Sequence, residues 1–128
     1  MTEKKIITIN AGEIEVQAEL NDSETAAAIH EILPVEGTAN LWGEEIYFEI
    51  DLALEPEADA REAVEAGDLA YWPEGRAFCI FFGPTPVSTD SRPRAYSPVN
   101  VFGRITGDAS RLNRVPHRQK LVVAVKSG

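Results

Sequence analysis

The chain has 128 residues, of which 44% are hydrophobic and 26% charged, with a formal net charge of −9 at pH 7. These proportions are ordinary for a soluble globular protein of one domain, and they exclude disorder over the whole length. Because acidic residues outnumber basic ones by 21 to 12, the chain lacks the basic surface that binds phosphates, and we expect it not to bind nucleic acid.

Two strands joined by a tight turn are predicted at the start of the chain. Residues 6–9 are apolar, and residues 13–20 alternate apolar and polar side chains after a turn at residues 10–12. A helix is predicted over residues 24–33, since residues 21–23 offer N-cap side chains, Glu24 follows Asn21 at capping-box spacing, and Pro34 ends the pattern. This helix is amphipathic, so we expect it to cover one end of the sheet.

Residues 44–54 return to alternation and predict a third strand. The next stretch, residues 55–67, leaves two structures open. Asp59, with Glu62 three positions later, could cap a short helix, whereas Val64 followed by Gly67 is typical of a strand that enters a tight turn.

The segment from residue 67 to residue 86 carries the strongest strand signals. Tyr71 and Trp72 end one apolar strand, residues 73–75 form a turn, and residues 77–82 are apolar without interruption. An uninterrupted apolar run bounded by turn residues predicts a strand buried on both faces. Glycine and proline at residues 83–86 then end this strand.

Beyond Pro86 the pattern predicts a polar loop up to Pro98, a strand over residues 99–105, a helical turn over residues 108–113 and a last strand over residues 121–125. No linker or repeat divides the chain. The sequence therefore predicts one mainly β domain over residues 1–128, built as a closed barrel or a sandwich.

Charge is unevenly distributed along the chain. Residues 1–68 hold 18 acidic and three basic side chains, whereas residues 69–128 hold nine basic and three acidic ones. Arg92, Arg94 and Arg104 flank or follow the polar loop and could meet an anionic ligand. We favour the alternative, in which they pair with the acidic half across the fold.

Two motifs resemble a known family. Residues 71–86 fit the pattern YWPxGxAxxxFFGPTP, and residues 40–48 fit NxWGxEIYF. Both patterns are similar to those of a small prokaryotic cyclophilin-like family of uncharacterised function, and residues 99–108 resemble a later cyclophilin strand. The resemblance implies a closed eight-stranded barrel capped by one or two short helices.

The resemblance does not extend to the residues that catalyse prolyl isomerisation. A cyclophilin places an arginine beside the prolyl nitrogen to weaken the resonance of the amide. The corresponding strand here contains Tyr47, Phe48 and Glu49. Two further expected identities are replaced by Cys79 and Val99. Arg76 or Arg94 could still reach the pocket from another direction, so weak activity remains the alternative hypothesis.

We predict a non-enzymatic binding module for a peptide or a small polar ligand, with a possible protein partner. A weak or divergent peptidyl-prolyl isomerase is the alternative, and a subunit associated with an amide hydrolase is a third option from fold analogy alone. Each candidate ligand-binding residue could instead serve only the fold. The candidates are Trp42, Glu45, Tyr71, Trp72, Arg76, Tyr96 and Asn100.

We expect no metal and no cofactor. His30 lies in the predicted helix and His117 among arginines, and neither environment is typical of a metal ligand. The single cysteine, Cys79, cannot form an internal disulfide and is expected to be a small buried hydrophobe. The chain shows no signal peptide and no apolar run of membrane-spanning length, so we expect a cytoplasmic protein without a membrane partner.

Overall fold

The computed structural model describes residues 5–126, which form a mainly β structure with one α-helix and one 3-10 helix. The helices are α1 (Glu24–Ile32) and the 3-10 helix (Ala109–Arg114). The strands are β1 (Ile6–Ala11), β2 (Ile14–Leu20), β3 (Val35–Thr38), β4 (Asn40–Leu41), β5 (Glu45–Glu49), β6 (Arg61–Ala63), β7 (Asp68–Trp72), β8 (Ala77–Phe81), β9 (Arg94–Ile105) and β10 (Lys120–Val125).

The ten strands of residues 5–126 form one sheet, in the order β3-β10-β1-β2-β9-β7-β8-β5-β4, and β6 pairs separately with β9. The prediction of a closed eight-stranded barrel is therefore wrong in two respects: the strand count is ten, and the end strands β3 and β4 do not pair with each other. The strands missed from the sequence are β3 and β4, which are short and lack a clear alternation.

The two ends of the sheet nevertheless lie close together. Strands β3 and β4 are separated only by Ala39. The Ala39 amide donates to the Gln119 carbonyl and the Ala39 carbonyl accepts from the Arg118 amide, both at 2.8 Å, so this residue is bonded to the segment before β10. Gly37 in β3 lies against the Phe48 ring of β5, where a Cβ atom would come within 2.4 Å of the ring. The sheet is thus rolled around the inner core, although no ladder of hydrogen bonds among residues 5–126 joins its two ends.

The boundaries of the other elements agree with the predicted ones at some positions and differ at others. Helix α1 begins after Ser23, whose hydroxyl accepts a hydrogen bond from the Ala26 amide, so Ser23 is the N-cap and not Asn21. The open choice at residues 55–67 resolves to the strand β6. The third strand ends at Glu49, before the predicted residue 54, and β9 already begins at Arg94. Neither helix among residues 5–126 has the length and apolar character needed to cross a membrane.

The sheet has apolar side chains on both faces around β8. All six residues from 77 to 82 are at most 8% exposed, which confirms the prediction of a strand buried on both faces. Phe48, Phe78 and Phe102 belong to the large inner core. A smaller cluster lies on the other face, and we call it the outer cluster. Its members are Val64, Ala70, Ala77, Cys79, Phe81, Ala95 and Val99.

Candidate functional site

A cavity of about 170 Å³ opens beside the outer cluster. It lies between the sheet of β5, β7 and β8 and the first residues of β9, which cover that sheet from outside. Because side chains alternate along a strand, Glu45 and Tyr47 leave β5 on the same face. Cys79 of the neighbouring strand β8 is paired with Tyr47. We call this space the aromatic cavity. Its lining consists of Trp42, Glu45, Tyr47, Trp72, Cys79, Ala95, Tyr96 and Val99.

Four aromatic rings around the cavity stand nearly perpendicular to their neighbours. Tyr96 lies 6.2 Å from Trp42 and 6.2 Å from Trp72, at interplanar angles of 75° and 79°. Trp72 in turn meets Tyr47 at 6.4 Å and 82°. Edge-to-face contacts of this kind are favourable, and all four residues line the cavity. Tyr96 is 68% exposed, so it stands at the opening.

A hydrogen bond and close backbone packing hold the Trp72 indole in place. Its Nε1–H donates to the Ser97 hydroxyl at 2.6 Å, and that hydroxyl donates to the Glu74 carboxylate at 2.9 Å. The backbone of Gly75 lies directly against the indole, because a Cβ at that position would be 2.3 Å from Trp72 Cε3. The turn of residues 73–75 therefore fixes one wall of the cavity before any ligand arrives.

We expect Gly75→Ala to displace the Trp72 indole, since its methyl group would overlap the ring. The tryptophan emission spectrum should shift to longer wavelength as the half-buried indole becomes more exposed, and the melting temperature should fall. Gly107→Ala is the matched control, because no atom lies within 4 Å of a Cβ built at Gly107. Identical emission spectra and melting temperatures for the wild type and Gly75→Ala would contradict the close packing described here.

Glu45 is the ionisable group at the base of the cavity. Glu45 is 6% exposed, and burial raises the pKa of its carboxyl group to about 7, while a hydrogen bond with the Cys79 thiol acts in the opposite direction. Burial likewise raises the pKa of the Cys79 thiol, and the neighbouring Glu45 charge raises it further. The thiol is therefore protonated and unreactive at neutral pH, whereas Glu45 exchanges a proton close to neutrality.

The two sequence motifs meet at the turn that carries Trp42 and Glu45. Gly43 has a φ of +61°, and a Cβ there would be 2.8 Å from the backbone of Thr85. The Glu44 amide donates to the Pro84 carbonyl at 2.9 Å, and its carbonyl accepts from the Phe82 amide at 2.9 Å. The WGEE turn and the FGPTP segment are thus bonded to each other, which positions Trp42 and Glu45 over the outer cluster.

Four of the seven candidate residues lie around the aromatic cavity, namely Trp42, Glu45, Trp72 and Tyr96. The other three lie elsewhere. Tyr71 is fully buried in the inner core, and its hydroxyl donates to the Leu52 carbonyl at 2.5 Å. Arg76 is exposed in the turn before β8, with a φ of +49°. Whether any of the seven binds a ligand stays a prediction.

Asn100, the third of these, connects three segments from a buried position. Its Oδ1 accepts from the Glu57 amide at 2.8 Å, and its Nδ2 donates to the Glu55 carbonyl at 3.1 Å and the Thr25 hydroxyl at 3.2 Å. The Thr25 hydroxyl also donates to the Glu57 carboxylate. Asn100 therefore fastens residues 55–57 and the first turn of α1 to β9.

Four residues that line the cavity were not among the predicted ligand-binding residues, namely Tyr47, Cys79, Ala95 and Val99. Their signal was available in part, because Tyr47 shares a strand face with Glu45 and the same alternation along β8 exposes Cys79 to that face. Ala95 and Val99 gave no such signal. Ala95 lies in the stretch predicted as loop up to Pro98, and Val99 begins the predicted strand of residues 99–105, so the approach of residues 94–98 of β9 to the outer cluster was not predicted.

The three arginines flagged in the sequence each form an ion pair. Arg94 bonds Glu62 at 2.6 Å and Arg104 bonds Asp68 at 3.0 Å, so these two pair with the acidic half as predicted. Arg92 instead pairs with the nearby Asp90 at 3.0 Å. All three guanidinium groups are at least 40% exposed, so the pairs add little to stability.

Comparisons with known proteins agree with this structure. A family model described as "Cyclophilin-like" matches residues 5–124. The solution structure of a hypothetical protein from Archaeoglobus fulgidus is similar, with a TM-score of 0.81 and 40% sequence identity over 96% of this chain and 95% of the other. The search of curated proteins found no match.

Proposed function

The chain belongs to the cyclophilin-like family, and from that premise we propose that it is a non-enzymatic binding module whose ligand occupies the aromatic cavity. The ligand is a small polar molecule or a side chain of a peptide. A cavity that is mostly apolar, with a few polar groups directed into it, is the usual form of a small-molecule site.

One observation carries this proposal: a buried carboxyl group, Glu45, lies among aromatic walls that are already in place. Burying an ionisable group costs folding free energy unless a partner compensates for it. Among residues 5–126, the ion pairs involve Asp90, Glu62 and Asp68, and none of them reaches Glu45. A site that keeps such a group at a cost to stability is a functional candidate.

The cavity lacks what prolyl isomerisation needs. Its lining within residues 5–126 contains no arginine, lysine or histidine. Arg76 is exposed in its turn, and Arg94 is engaged by Glu62. A carboxylate beside a prolyl amide would favour the resonance that slows rotation, because it stabilises the partial positive charge on the nitrogen. These points favour binding over the alternative of isomerase activity.

Intrinsic fluorescence gives a direct test, because both tryptophans of the chain line the cavity. A panel of small metabolites and proline-containing peptides should include ligands that change tryptophan emission and raise the melting temperature of the wild type. Trp72→Leu should abolish these effects, while Val125→Ala, at an exposed site on β10, should preserve them.

Two results would contradict the proposed function. Ligand-induced shifts that persist unchanged in Trp72→Leu would place binding elsewhere. A rate of Xaa-Pro isomerisation well above background in a protease-coupled assay, and lost in Trp72→Leu, would establish the isomerase instead.

A further inference from the structure

We propose that the aromatic cavity takes an alkylated ammonium group and that the Glu45 carboxylate supplies its counter-charge. This inference rests on the proposed function, since it names the chemical class of the ligand for the same cavity. Three features of the described residues support it: the arrangement of the rings, the balance of charge around the cavity, and its volume.

The lining contains four aromatic residues, a composition that favours an organic cation. A cation is attracted to the face of an aromatic ring, most strongly to tryptophan, and sites for alkylated ammonium groups are commonly boxes of several rings. Here Trp42, Tyr96, Trp72 and Tyr47 follow one another at angles of 75°, 79° and 82°, around one space. The Ser97 hydrogen bond and Gly75 hold Trp72 in position, so little ordering remains to be done on binding.

The charge around the cavity has one sign. Glu45 is the only acidic residue in its lining, and no basic residue within residues 5–126 lines it or pairs with Glu45. A cation would thus form an ion pair with Glu45, whereas an anionic ligand would be repelled by the carboxylate and a neutral ligand could at most hydrogen-bond to it. The net charge of −9 favours the approach of cations as well.

The volume fits a small head group. About 170 Å³ is similar to the roughly 150 Å³ of an engineered protein cavity that binds benzene, so the cavity admits a head group of about that size. The opening beside the exposed Tyr96 lets the remainder of the ligand extend into solvent. The cavity therefore recognises the ammonium head group, whether a small metabolite or a methylated lysine side chain carries it.

Binding of a cation should depend on pH through Glu45. The titratable groups that face Glu45 from the packed elements are the Cys79 thiol on β8, the Tyr47 phenol on β5 and the Tyr96 phenol on β9. Burial raises the pKa of Glu45 to about 7, and a bound cation would favour its ionised form. Affinity for a cation should therefore rise about tenfold from pH 6 to pH 8, as the fraction of ionised Glu45 increases.

The test compares choline with its uncharged carbon isostere, 3,3-dimethylbutan-1-ol, by titration of tryptophan fluorescence at constant ionic strength. We expect choline to bind about tenfold or more tightly than the isostere at pH 8. Glu45→Gln should remove most of this preference and its pH dependence. Glu44→Gln is the matched control: the neighbouring carboxylate lies against Gly83, outside the cavity, and its loss should change neither.

A second arm distinguishes the two carriers of the head group. A short peptide with a trimethyllysine should bind more tightly than choline if the natural ligand is a modified protein, and no more tightly if it is a free metabolite. Either outcome supports the ammonium inference, provided that the same peptide with leucine in place of trimethyllysine does not bind.

The two proposals fail in different ways. If choline and its isostere bind equally, with no change between pH 6 and pH 8, the ammonium inference is wrong while the cavity remains a binding site. The same holds if neither binds but another compound of the panel binds in a Trp72-dependent manner. If no compound binds in that manner, the proposed function itself is wrong.

Discussion

Replacing Glu45 with glutamine is expected to stabilise the protein above neutral pH. Burial raises the pKa of Glu45 from an ordinary 4.5 to about 7. Between these values the folded protein holds a proton that the unfolded chain has released, so stability falls as the pH rises through this range. Above pH 7 the buried charge costs up to about 3 kcal/mol, and glutamine, which has a similar shape and no charge, avoids that cost.

Chemical denaturation of the wild type and Glu45→Gln at pH 5 and pH 8 measures this effect. The free energies of unfolding should be similar at pH 5 and should differ most at pH 8, with the variant more stable. Glu44→Gln should show no comparable change with pH. An equal difference at both pH values, or a less stable Glu45→Gln at pH 8, would show that Glu45 is not held in its neutral form by burial.

The second large effect is expected at Asn100, where alanine should lower the free energy of unfolding by about 2–3 kcal/mol. The substitution removes three hydrogen bonds and leaves the Glu57 amide and the Thr25 hydroxyl without this partner. Residues 55–57 and the start of α1 should become less protected against hydrogen exchange. Urea unfolding and exchange measurements on Asn100→Ala check both expectations.

The control for this substitution is Asn113→Ala, which removes one exposed hydrogen bond to the Ser110 carbonyl and should change stability by less than about 0.5 kcal/mol. Ligand affinity of folded Asn100→Ala should match that of the wild type, because Asn100 lies outside the lining of the cavity. A variant with normal stability and lost binding would instead make Asn100 a ligand-binding residue.

The parts of the fold that the sequence predicted are those with strong local patterns. Alternating apolar and polar residues predicted β2 of the first hairpin, and apolar runs predicted β1 and the buried strand β8. The structure contains all three strands. The missed strand β4 has two residues and pairs with its neighbour β5, whereas the missed strand β3 has four residues and pairs with β10, some eighty residues away along the chain. A sequence shows propensity but not such partners.

The candidate site divides in the same way. Trp42, Glu45 and Trp72 stood out by residue type beside turns, and the structure places them around one space. Tyr71 and Asn100 stood out equally, but the strand pairing β7 with β9 brings this pair to the inner side, where they fasten loops. The register between distant strands decides which side chains face a cavity. The composition of a sequence does not reveal that register.

The most direct measurement of ligand binding in the aromatic cavity is a two-dimensional ¹H–¹⁵N NMR titration with choline at pH 8. The largest shifts should map to amides of β5, β8 and the first residues of β9, together with the Trp72 indole N–H that donates to Ser97. Shifts confined to other surfaces, such as the depression lined by Arg61, Asp68 and Asp90, would contradict binding in this cavity.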